Sequence, residues 1–129
     1  MAELSFFEKV AARADVPAET AQSLTEATLR TLTERISGGE IDDLTNRVAH
    51  ELRPFLSKER QADPEAFGYD EFLRRVADRA SVDPSAAERG VRAVLQTMHR
   101  VVGPKEFEDT IAQLPAEFRT LIQPVPRKG

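Results

Sequence analysis

A chain of 129 residues, 40% hydrophobic and 31% charged, suffices for one compact domain or for two small units sharing a core. It has no cysteine, which excludes disulfides, thiolate metal sites and cysteine nucleophiles together. Its net charge of −4 and pI near 5.3 disfavour generic binding to a phosphate backbone. No stretch approaches the roughly 20 apolar residues of a membrane span.

The N-terminus, MAELSFFEKV, carries an acid at Glu3 and no long apolar run, so it does not read as a signal peptide. With the missing cysteines this suits a cytoplasmic protein. Residues 1–64 hold the whole net negative charge, and residues 65–129 are neutral.

Residues 5–14 place Phe6, Phe7, Val10, Ala11 and Ala14 on one stripe at helical spacing. A long second helix begins at Pro17, where a missing N–H costs nothing, and carries Leu24, Thr28, Leu32 and Ile36. Gly38-Gly39 is expected to end it, since glycine takes the left-handed position after a helix cheaply. A third helix over 40–49 carries Ile41, Leu44 and Val48. A short fourth, limited by Pro54, carries Leu52, Phe55 and Leu56. The polar stretch 57–69, SKERQADPEAFGY, reads as a linker that Phe67 and Tyr69 pin to the core.

The order then repeats. A helix over 70–80 carries Phe72, Leu73, Val76 and Ala77, with Asp70 expected as its N-cap. A long helix starts at Pro84 behind Asp83, carries Val91, Leu95, Met98 and Val102, and ends at Gly103-Pro104. A third helix over 105–114 carries Phe107, Ile111 and Leu114, and a short one beginning at Pro115 carries Phe118, Leu121 and Ile122. Residues 124–129 read as a frayed tail. No stretch alternates as a strand would.

Slid against itself, the chain lays 5–56 on 71–122 without a gap. Phe6/Phe72, Val10/Val76, Arg13/Arg79, Leu29/Leu95, Glu40/Glu106, Asp43/Asp109 and Arg53/Arg119 coincide, and apolar falls on apolar at Leu32/Met98, Ile36/Val102, Ile41/Phe107 and Leu52/Phe118. The expected fold is all-α: two tandem four-helix repeats packed into one compact domain with pseudo-two-fold symmetry. Repeat 1 spans 1–56, a linker 57–69, repeat 2 spans 70–122 and a C-terminal tail 123–129. Units of this size have marginal cores of their own, so the repeats are expected to share one.

Three stretches, FFEKVAARADV with FLRRVADRASV, LRTLTERISGGE, and VVGPKEFEDTIAQLPAEFRTLI, resemble the bacterial family called domain of unknown function 2267. The resemblance covers residues 4–122 and rests on packing and turn motifs. The first repeat departs at Asn46-Arg47-Val48-Ala49, where the second has Ala112-Gln113-Leu114-Pro115. The resemblance implies an all-helical duplicated domain and supplies no activity or catalytic residues.

Candidate chemistry is sparse. His50 and His99 occupy non-equivalent repeat positions and have no second ligand at i+3 or i+4, so both read as structural. Glu40/Asp43 and Glu106/Asp109 are spaced to hold a hard cation, but acids in a helix's first turn more simply stabilise its dipole, by about 0.3–1 kcal/mol each. Arg13, Arg79, Arg53 and Arg119 recur as well, and either pair with those acids or mark a repeated ligand-facing surface. A helix-turn-helix reading around 37–40 or 103–106 would bring Glu40, Asp42 and Asp43, or Glu106, Glu108 and Asp109, against phosphates. No serine has a nucleophile-elbow context, and no G-x-G-x-x-G or P-loop is present.

The sequence therefore favours a non-enzymatic protein-interaction module, binding another protein or itself, with no catalytic residue, cofactor or metal. Its possible interaction surface is Arg13, Arg79, Arg53, Arg119, Glu40, Asp43, Glu106 and Asp109. The alternatives are a nucleic-acid-associated regulator and a binder of small ligands or metal in a groove between the repeats.

Overall fold

Ser5 begins the structure by closing a capping box: its hydroxyl accepts from the Glu8 N–H (3.1 Å) while its own N–H donates to Glu8 Oε1 (2.8 Å). Helix α1 (Phe6–Ala14) follows and stops at Asp15, in the left-handed region at φ 58°. The computed structural model describes residues 5–56 and 65–122. Most of the expected linker, the expected tail and the first four residues lie outside them.

Further helices follow among the described residues: α2 (Ala18–Arg35), α3 (Gly38–Arg47), a 3-10 helix (His50–Leu56), α4 (Tyr69–Ala80), α5 (Pro84–Val102), α6 (Pro104–Ala112) and α7 (Glu117–Ile122). No strand occurs among these residues, so the fold is all-helical as the periodicity predicts. α4 ends as α1 does, with Ser81 left-handed at φ 57° and the N–H after it reaching back into the last turn, Val82 to Ala77 as Val16 to Ala11.

Several boundaries differ from the sequence reading: Pro17 is the N-cap of α2 rather than its first residue, α3 ends at Arg47 and α6 at Ala112, and α7 starts at Glu117 rather than Pro115. Gly38-Gly39 does not end α2. Ile36, fully buried, closes that helix, and the Ser37 hydroxyl caps the Glu40 N–H (3.2 Å), so both glycines lie in the first turn of α3. Nor does Asp70 cap α4, which starts one residue earlier behind Gly68. Asp83 does cap α5, accepting from the Ala86 N–H (2.7 Å). The two short helices differ in kind: Pro54 sits inside a 3-10 helix, whereas α7 is α-helical.

α2 and α5 form the centre. Each packs on the other and on both α1 and α4. The expected stripes, Leu24, Thr28, Leu32 and Ile36 with Val91, Leu95, Met98 and Val102, are all buried. One continuous hydrophobic cluster draws on every helix, from Phe6 to Leu121. α2 and α5 approach closely at Gly90, where a Cβ would lie 2.5 Å from Leu24 Cδ2.

Thr25 and Thr31 donate their hydroxyls to the Ala21 and Ala27 carbonyls (2.8 Å each), and Thr97 does the same to Ala93 (2.7 Å). Thr28 Oγ1 is buried without a hydrogen-bond partner among the described residues. No helix there is long and apolar enough to cross a membrane.

Candidate functional site

Arg79 and Arg13 coincide in the self-alignment, near the ends of α4 and α1, and each reaches the opposite long helix. Arg79 Nη1 donates to Thr31 Oγ1 on α2 (2.8 Å), and Arg13 Nη1 donates to Thr97 Oγ1 on α5 (3.4 Å). Thr31 and Thr97 also coincide in that alignment. From this shared anchoring the two surroundings diverge.

On the α2/α4 side the cations are neutralised. Glu34 accepts from Arg79 Nη2 (2.7 Å) and Arg75 Nη1 (2.9 Å). The other Arg75 nitrogens reach Glu71 (2.9 Å) and Glu65 (3.0 Å), so one guanidinium serves three carboxylates. Burial pushes the Glu34 carboxyl up, but the hydrogen bonds and charges of Arg79 and Arg75 outweigh it and hold it below the ordinary value. Hydrogen bonds from Arg74 and then Arg75 bring Glu71 down to about 2.

On the α1/α5 side the counterpart of Glu34 is Arg100. Arg13 therefore meets a like charge. Burial, and behind it the Arg100 charge, lowers the Arg13 pKa from its usual value, although a guanidinium keeps its proton. Glu26 of α2 likewise corresponds to Arg92 of α5. No ion pair among the described residues neutralises Arg13, Arg89, Arg92 or Arg100.

These cations line an open groove along α5. Its larger part, about 710 Å³, is bounded by Arg13, Gln96, His99, Arg100, Pro104 and Ile122. A further part of about 300 Å³ shares Arg13 and Gln96 and continues past Ala93 to Arg92, Arg89 and Glu88. Gln96 is fixed by donating to the Leu121 carbonyl (2.8 Å), and the His99 ring lies edge-on to buried Phe107, centroids 6.2 Å apart. Glu88, the groove's carboxylate, accepts from the Tyr69 hydroxyl (2.8 Å). The arrangement offers charge and hydrogen-bond donors to an anionic group and, among these residues, no nucleophile beside a base.

The other sequence-predicted residues do not gather here. Glu40 accepts from Thr110 Oγ1 (2.6 Å), tying α3 to α6. Gln113 adds to that tie by accepting from the Ser37 N–H (2.8 Å), and its carbonyl accepts from Arg35 (2.8 Å). Glu106 lies half-buried in the first turn of α6, while Asp43, Asp109, Arg53 and Arg119 are exposed. None of the four acids pairs with any of the four arginines within salt-bridge reach. Among the described residues no three carboxylate or histidine side chains converge as a metal site. Of the eight, only Arg13 belongs to the groove. The signal that finds the rest is the self-alignment read for reversals, Glu34 on Arg100 and Glu26 on Arg92, rather than for identities.

The family model described as "Uncharacterized conserved protein (DUF2267)" matches residues 4–121. No curated protein matches the chain.

Proposed function

Since the chain belongs to the DUF2267 family, whose description names no activity, we propose from its own geometry that it is a non-enzymatic protein-interaction module which docks an acidic segment of a partner protein along α5. The carrying observation is the row Arg13, Arg92 and Arg100, cationic and without a carboxylate partner among the described residues on a chain of net charge −4. A cationic groove on an anionic protein selects a local acidic segment, whereas a long polyanion would also meet the repelling remainder of the surface.

The same reading includes the architecture. The chain is two tandem four-helix repeats about a pseudo-two-fold axis, and its groove arises where the repeats have diverged. Three features support this: the reciprocal bonds Arg13–Thr97 and Arg79–Thr31, the matched left-handed caps Asp15 and Ser81, and the contact of Gly90 with Leu24, its own counterpart in the self-alignment.

The test is affinity capture from a lysate of the native host, nuclease-treated, with wild type beside the Arg13→Glu/Arg100→Glu variant. A stoichiometric protein held by wild type and lost from the folded variant supports the reading. Equal retention by both, or capture that vanishes with nuclease, refutes it.

A further inference from the structure

The chain carries its own example of what such a cationic site accepts. Residues Glu65-Ala66-Phe67 run as irregular backbone over the α2/α4 side. Glu65 accepts from Arg75 Nη2 (3.0 Å), and its N–H donates to the Glu34 carbonyl (2.8 Å). The Arg75 guanidinium lies over the Phe67 ring, 4.0 Å from its centroid, and that ring packs on buried Phe72 at 6.2 Å. The Phe67 carbonyl accepts from Arg35 Nε (2.8 Å). Carboxylate, backbone and ring are thus read together, as in a bound peptide.

In the register of the self-alignment, the α1/α5 side repeats most of this receptor. Lys9 stands for Arg75, Arg13 for Arg79 and buried Phe6 for Phe72. Two changes matter. Arg100 replaces Glu34, adding a positive charge where the other side has a negative one. Val101 replaces Arg35, and at 41% exposed it is the large hydrophobic residue that the described surface leaves uncovered. Both changes favour a ligand with more negative charge and an apolar group beside it.

We propose that the α5 groove recognises a partner-protein segment with a carboxylate followed, two residues later, by an aromatic ring. This rests on the interaction reading above and narrows it to a peptide class. In that register the carboxylate meets Lys9 within the field of Arg13 and Arg100, and the ring lies against the Lys9 and Val101 side. Nucleic acid would supply charge but no spaced carboxylate and ring, and the net −4 of the chain opposes it.

The probe is a fluorescein-labelled decapeptide of residues 61–70, QADPEAFGYD, titrated into the full-length protein and read by fluorescence anisotropy. Its own intramolecular site is already filled by the tethered copy at high effective concentration, so binding in trans reports the α5 groove. Expected results are saturable binding, at least about tenfold weakening when the peptide's glutamate becomes glutamine or its phenylalanine becomes alanine, and loss of binding to Arg13→Glu/Arg100→Glu. The milder Arg13→Gln/Arg100→Gln pair should weaken binding by a similar factor, with circular dichroism confirming both variants folded. No saturation below about 1 mM, equal binding of a scrambled peptide of the same composition, or equal binding by the charge-reversed variant overturns the proposal. Groove-dependent capture of a partner in the lysate experiment would then leave the interaction reading standing without this peptide class.

Discussion

Thr28 shows how a single side chain can work against its helix. Its hydroxyl is buried at the centre of α2 with no partner among the described residues, and a hydroxyl removed from water unpaired costs about 1–3 kcal/mol. Its neighbours Thr25 and Thr31 avoid that cost by bonding carbonyls one helical turn back. The counterpart of Thr28 in α5 is Val94, also fully buried, so the fold already accommodates the isosteric apolar side chain in a corresponding place. Thr28→Val is therefore expected to stabilise the protein by about 1 kcal/mol and raise the melting temperature by about 3–5 °C, read by calorimetry. A lower melting temperature would mean that the hydroxyl has a partner in solution. The polar character of Thr28 was plain in the sequence, and so was its place on the apolar stripe. Its lack of a partner was not, because that depends on which helix lies above it.

At the scale of elements, α4 is held on α2 by an ionic network as well as by apolar packing. Glu71 lies down near 2, and Glu34 is held below the ordinary carboxylate value. Each carboxyl binds its proton more weakly folded than unfolded. Their contribution is thus complete above about 4.5 and is lost as pH falls toward about 2. The melting temperature should fall through that window, and Glu34→Gln should start lower at neutral pH and fall less on acidification. Parallel acid limbs for the two proteins would show that the network adds no stability. Helix identity and apolar faces were legible here because 3.6-residue periodicity is local. The network was not, since Glu34 meets Arg75 and Arg79 across 41 and 45 residues of chain. The Gly38-Gly39 boundary was misread for a related reason: two glycines resemble a helix stop, but the Ser37 hydroxyl offers α3 a cap, and Ile36 is drawn into the core.

For the whole molecule, the decisive arrangement is that α1 and α4 each pack on both long helices while the two long helices pack on each other. Residues 1–64 made alone would expose the faces that α4 and α5 cover, and residues 65–129 would lose α1 and α2. Either piece is expected to give no cooperative thermal transition by circular dichroism, and an equimolar mixture should recover one. A sharp transition near the full-length temperature in one isolated piece would show a self-sufficient core. This sharing of α1 and α4 between both long helices could not be read from one sequence, where every helix looks equally able to pack on its neighbour. The Leu24–Gly90 contact carries the point further. Two identical chains meeting across a dyad must present the same residue to each other on the axis. Leucine against leucine would overfill the space that Leu24 now takes alone, and glycine against glycine would leave a hole. This chain holds one of each, a key and its keyhole, so residues 5–56 and 71–122 do not present the same surface to each other at that contact. The aligned segments thus meet through unlike side chains, and the α1/α5 side keeps cations of the kind that the α2/α4 side neutralises.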